Sequence, residues 1–153
     1  MIKTEKNIVI KAPVEEVFAY AADPNHLPEY FTGVDKITDV RRLPNGGYGF
    51  KSVNKIAGLH TDMTNEDVEF VANERIVGKS HGALTDSTVT ATFATMEGGQ
   101  TRVTCVEEYT IHGGFLGKLG EAFLGKYFDH AAELTQETLK ARIEAGVPAL
   151  TPH

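Results

Sequence analysis

Glu107 and Tyr109 stand two residues apart in the run Thr101 to His112, where strict alternation puts Val103, Cys105, Glu107, Tyr109 and Ile111 on one inward face. An ionised carboxylate among such neighbours costs several kcal/mol unless it is paired or protonated. Burial would raise the pKa of Glu107 and suit it to general acid or base work. The opposing reading is structural: a bulge turns Glu107 outward, or a neighbouring tyrosine or arginine satisfies it. Cys105, the only cysteine, shares that face and reads as a small, inert hydrophobe.

Other candidates are more scattered. Past the turn Asn45-Gly46-Gly47, the residues Tyr48, Phe50, Ser52, Asn54 and Ile56 share one face, so Tyr48, Phe50 and Asn54 either contact a bound molecule or serve as ordinary packing. The glycine-rich turn lacks a Lys-Ser/Thr ending and leads into no helix, which argues against phosphate cradling. His60 and Asp62 share a strand face and His81 could approach from the next strand. With no HExxH, HxH or cysteine partner, neither a metal nor another cofactor is expected. His130 sits at helical spacing from Phe123, Tyr127 and Leu134, at the edge of an apolar face. There it either offers a donor or acceptor to a ligand or stands in water beside Asp129. Phe123 and Tyr127 would supply aromatic contact area. No Ser/His/Asp or Cys/His constellation can be placed.

The elements that must position these groups follow from periodicity. Ile2 to Lys11 alternates as a first strand, and Pro13 then opens a short helix through Val14, Val17, Phe18 and Ala21. Asp23-Pro24 opens a second, through about Phe31. Turn residues divide the next stretch into strands at about 34–43, 47–57, 59–71, 75–81, 85–97 and 100–112, an antiparallel meander. After Gly113-Gly114 the period changes to one long helix, with Leu116, Phe123, Leu124, Tyr127, Phe128, Ala131, Leu134, Thr138 and Leu139 on its apolar face. It ends near Gly146, before Pro148. One domain over 1–146 is expected, with 147–153 a flexible tail.

Composition narrows the function classes. The 153 residues carry 15 basic against 21 acidic groups, a net charge of −6, which disfavours phosphate-driven nucleic-acid binding. Lys3, Glu5, Lys6 and Asn7 interrupt the N-terminal segment, so it has no signal-peptide character, and Val17 to Ala22, the longest apolar run, is too short for a bilayer. A cytoplasmic protein without stable membrane insertion is expected.

The order strand, two short helices, six strands and a long amphipathic helix resembles the START-like superfamily with its helix-grip fold. So do Ile8-Val9-Ile10-Lys11-Ala12-Pro13-Val14-Glu15-Glu16-Val17-Phe18, Asp23-Pro24 to Tyr30-Phe31, Thr101-Arg102-Val103-Thr104, and Glu137-Thr138-Leu139-Lys140-Ala141-Arg142-Ile143-Glu144. Within it the chain is most similar to the polyketide cyclase/dehydrase and lipid transport proteins. The resemblance implies an α+β fold in which a curved seven-stranded antiparallel sheet wraps a long C-terminal helix and leaves a hydrophobic cavity. Binding or transport of a hydrophobic or amphipathic small molecule would follow, with Tyr48, Phe50, Asn54, Cys105, Glu107, Tyr109, Phe123, Tyr127 and His130 around it. A cyclase/dehydratase would instead use Glu107 and Tyr109 for proton transfer. A homodimer, and an interaction role for the glycine-rich helix start, stay open; fold alone decides none of these.

Overall fold

The computed structural model of the chain describes residues 1–146. The expected flexible tail, 147–153, lies outside the described residues. Strand β1 (Ile2–Ile10) leads into helices α1 (Val14–Ala22) and α2 (Leu27–Tyr30), with a 3-10 turn at Pro24–His26 between them. Then come β2 (Val34–Arg42), β3 (Tyr48–Ile56), β4 (Leu59–Val71), β5 (Arg75–Gly82), β6 (Thr85–Thr95) and β7 (Thr101–Ile111). Helices α3 (Gly113–Leu119) and α4 (Glu121–Glu144) complete the described chain.

The strands form one antiparallel sheet in the order β1-β7-β6-β5-β4-β3-β2. The sheet is open and curved, and β1 joins the meander by pairing with β7 from Ile2↔Tyr109 to Ile10↔Thr101. Irregularities bend it at defined places. The β2–β3 register slips at Val34/Lys36 and Thr38/Arg41, and the β4–β5 register slips at Asp67/Glu69.

Helix α4 is anchored to the β1 side of the sheet through main-chain acceptors. Gln136 Nε2 donates to the Lys6 and Val103 carbonyls at 3.0 and 3.3 Å, and Lys140 Nζ donates to the Val9 carbonyl at 2.7 Å. Near its C-terminus Arg142 donates to Tyr20 Oη and Glu29 Oε1, which ties α4 to α1 and α2.

Two details depart from the sequence expectation. The long helix is broken at Gly120, whose φ of 83° and ψ of 145° belong to a region essentially reserved for glycine, so α3 and α4 are separate helices. The inward face of α4 is Leu124, Phe128, Ala132, Thr135, Gln136, Leu139 and Ile143, while Phe123 and Leu134 are exposed. The apolar stripe of this helix is broad enough to admit either orientation. The hydrogen bonds open to Thr135, from the Thr32 N–H beyond α2, and to Gln136, at the sheet, draw these polar residues inward and rotate Phe123 out.

The core falls into two apolar clusters. One gathers Ile10, Val17, Phe18, Tyr30, Phe93, Val103, Leu139 and Ile143, and the other Ile2, Ile56, Phe115, Leu124 and Phe128. Along β7 they are separated by Cys105 and Glu107, along β1 by Thr4, and along α4 by Ala132, Thr135 and Gln136. The interior therefore has a polar waist.

Candidate functional site

At that waist lies a cavity of about 190 Å³, bounded by the sheet's inner face, α4 and the α1–α2 segment. Curvature alone does not explain it. The central strands present short side chains to the interior: Gly78 and Ser80 from β5, and Ser87, Val89 and Ala91 from β6. Larger groups stand around this floor, including Phe50 and Met63 on one side, Phe93 and Val103 at one end, and Tyr127, Phe128 and Leu139 above. The walls are mainly apolar, and their few polar groups are confined to particular cross-strand rows.

One such row runs Asn65↔Ser80↔Ser87↔Tyr109 through the registers of β4 to β7. Within it Ser80 Oγ donates to Asn65 Oδ1 at 2.5 Å, and Asn65 Nδ2 donates to Ser52 Oγ at 2.9 Å. Ser52 in turn donates to Asn54 Oδ1 at 2.7 Å. The neighbouring row runs Asp67↔Gly78↔Val89↔Glu107 and so carries a carboxylate on each of two strands.

Glu107 is 3% exposed and borders the cavity. Its Oε1 accepts from Tyr109 Oη at 2.5 Å and its Oε2 from Cys105 Sγ at 3.7 Å. Burial pushes its pKa up, and the two donors partly oppose that shift. The Tyr109 phenol and Cys105 thiol are held well above their usual ranges, first by burial and then by the carboxylate beside them. Tyr109 is fixed from the other side by stacking on Phe128, centroids 4.0 Å apart and planes 20° apart. An acid with a raised pKa, hydrogen-bonded to a phenol held by a helix, is equipped to take or give a proton at the cavity wall.

Asp67, 8% exposed, is the second buried acid. Its Oδ2 accepts the Tyr48 backbone N–H at 2.9 Å, and burial nonetheless raises its pKa to about 6. Sequence reasoning passes over Asp67, Asn65 and Ser80. The available signal is the alternation of Thr61, Met63, Asn65 and Asp67, which places all four on one face of β4. Thr85 is missed as well: its Oγ1 is buried at the cavity edge and has no hydrogen-bond partner among the described residues.

Of the residues proposed from sequence, the structure brings Phe50, Asn54, Cys105, Glu107, Tyr109 and Tyr127 to the cavity. Tyr127 Oη also donates to the Lys55 carbonyl at 3.3 Å. The other three lie elsewhere. Tyr48 sits past the cavity's end, edge-on to Phe70, with its hydroxyl accepting from Arg42 Nη1 at 2.7 Å. Phe123 is 53% exposed, and His130 is exposed as well, because α4 turns Leu124, Phe128 and Ala131 toward the interior instead. His60 pairs with Asp35 at 3.3 Å, and His81 with Asp86. Among the described residues no three His, Cys, Asp or Glu side chains converge as metal ligands. None of the helices described is long and apolar enough to cross a membrane.

A family model described as polyketide cyclase/dehydrase and lipid transport matches residues 1–144. No curated protein sequence matches the chain significantly. Among solved structures, a protein from Thermus thermophilus is 22% identical and superposes with a TM-score of 0.80, over 95% of this chain and 99% of that one. A START superfamily protein from Mycobacterium smegmatis, 12% identical, reaches 0.81 over 95% and 99%. The Zhui aromatase/cyclase from a Streptomyces species, also 12% identical, reaches 0.78 over 95% and 97%. At these identities the likeness shows the helix-grip fold and leaves chemistry to the site.

Proposed function

Since the chain belongs to the polyketide cyclase/dehydrase and lipid transport family, we propose that it takes up a hydrophobic or amphipathic small molecule in the cavity between sheet and C-terminal helix. The observation that carries this reading is the hollow of about 190 Å³ with mainly apolar walls and a few placed polar groups. A natural interior is ordinarily packed to crystal-like density, so a space floored by glycine, serine and alanine is a feature that needs a use. A hollow on the order of 150 Å³ already admits benzene, which makes molecules of one or two rings a reasonable size class here. Native mass spectrometry of the purified protein, followed by organic extraction, tests the reading. A stoichiometric small molecule that leaves on extraction is expected; a protein that neither carries nor acquires any apolar compound would overturn it.

A second reading is favoured by one contact, the 2.5 Å hydrogen bond from Tyr109 to the buried carboxyl of Glu107 on the cavity wall. In a cyclase/dehydratase, Glu107 would exchange a proton with bound substrate during aldol-type ring closure or water loss, and Tyr109 would hold the carboxyl in position. Glu107→Gln separates the two readings. A carrier keeps its affinity and has no turnover to lose, whereas an enzyme keeps binding while kcat falls by roughly 10²-fold or more.

A further inference from the structure

The charges and hydrogen bonds of the cavity wall narrow the ligand class, an inference that rests on the binding reading above. Glu107 and Asp67 both border the space, on opposite ends of one cross-strand row, on the order of 14 Å apart along the sheet at about 4.8 Å per strand. No cation faces them among the described residues. Lys55 and Lys79 also border the cavity, but each is exposed and alternates with inward residues, so its side chain lies on the convex face. No arginine or histidine borders it among the described residues.

Several donors of the wall are already engaged. Tyr109 donates to Glu107, Tyr30 to the Ala21 carbonyl, Ser80 to Asn65, and Gln136 to two main-chain carbonyls. Asn54 Nδ2 and Ser87 Oγ donate to no partner among the described residues, and two further groups are left over. Asp67 Oδ1 accepts no hydrogen bond among the described residues and faces Gly78, where even a built Cβ would stand 3.6 Å away. Thr85 Oγ1, in a residue only 1% exposed, has no partner among the described residues either. An acceptor left without a partner at a poorly hydrated wall favours a ligand that supplies a hydrogen bond, and Asp67 Oδ1 is that acceptor over Gly78. Thr85 lies apart from it, four residues from Val89 along β6.

We propose that the ligand's polar end carries O–H or N–H donors, is neutral or cationic, and bears no acid group. A donor placed over Gly78 gives Asp67 Oδ1 a charge-assisted bond. A ligand carboxylate would bring a second charge of the same sign close to the Asp67 carboxylate, in a poorly solvated space with no counter-ion. At pH 7.5 Asp67 is ionised, since its pKa is raised only to about 6.

Three probes of one shape test this: 2-naphthol, 2-naphthylmethylamine and 2-naphthoate, titrated into the full chain at pH 7.5. The protein has no tryptophan, so naphthalene fluorescence reports binding directly. We expect the alcohol and the amine to bind at least about tenfold more tightly than the acid. Asp67→Asn, nearly isosteric, should narrow that gap by about threefold or more, while Glu97→Gln, which removes one charge at an exposed turn, should leave it unchanged. Equal or tighter binding of naphthoate overturns the inference and leaves the cavity reading intact. So does a gap that responds to Glu97→Gln as it does to Asp67→Asn, because net charge would then explain it. If none of the three binds, both this inference and the reading beneath it fall.

Discussion

Asp67 brings a carboxyl inward at the point where the β4–β5 register slips, so that Phe70, of opposite parity, returns to the same face further along the strand. Parity makes Glu107 and Tyr109 legible in the sequence because β7 keeps its register with β6 from Thr101 to Ile111 without a slip. β4 has no such continuity, and a carboxylate beside a bulge can face either way until the register is known. The raised pKa of Asp67 has a consequence of definite sign. The folded chain holds this proton between the ordinary carboxylate range near 3.8 and about 6, whereas the unfolded chain releases it. Its contribution to stability is therefore present at low pH and is lost as pH rises through about 6. Urea denaturation should show Asp67→Asn gaining stability relative to the parent between pH 4 and pH 7; a difference independent of pH would contradict the assignment.

At the scale of the element, α4 shows what helical periodicity settles and what it leaves open. The apolar residues specify a helix, and Pro148 and Gly146 in the sequence mark where it stops, but a stripe that includes both Phe123 and Leu124 does not say which one meets the sheet. That choice is made by Thr135 and Gln136, polar residues whose partners, Thr32 N–H and the carbonyls of Lys6 and Val103, are over 30 residues distant in sequence. Leu124 has no exposed surface and its neighbour is half in solvent, so the two should respond very differently to truncation. Leu124→Ala should cost about 2–5 kcal/mol in urea unfolding, and Phe123→Ala about 0.5 kcal/mol or less. Comparable losses at both positions would mean that the helix sits in the other phase.

For the whole molecule, turn chemistry and alternation predict the order and bounds of all seven strands to within about two residues, since Asn45-Gly46-Gly47 and Gly98-Gly99 punctuate them and the connections are short. The hollow is less legible. A curved sheet over a helix predicts that some gap exists, but its extent is set by which short residues of β5 and β6 fall beneath α4, and that depends on registers no local pattern records. Val89, at the centre of this floor, is therefore the position from which to close the space. Val89→Phe should leave the thermal midpoint within a few degrees of the parent, because the ring enters vacant volume rather than filled core, and should weaken probe binding by about tenfold or more. Unchanged affinity would place the binding site elsewhere.

The separation of most floor positions from the two apolar clusters has an evolutionary corollary. Ser80, Ser87 and Val89 are absent from the buried side chains that knit α1, α4 and the sheet edges together, such as Ile10, Val17 and Leu124. Mutations that enlarge or shrink these floor positions would re-contour the compartment one methyl group at a time while the surrounding shell keeps its melting behaviour. A lineage built on this plan is free to reshape its hollow quickly and its architecture hardly at all.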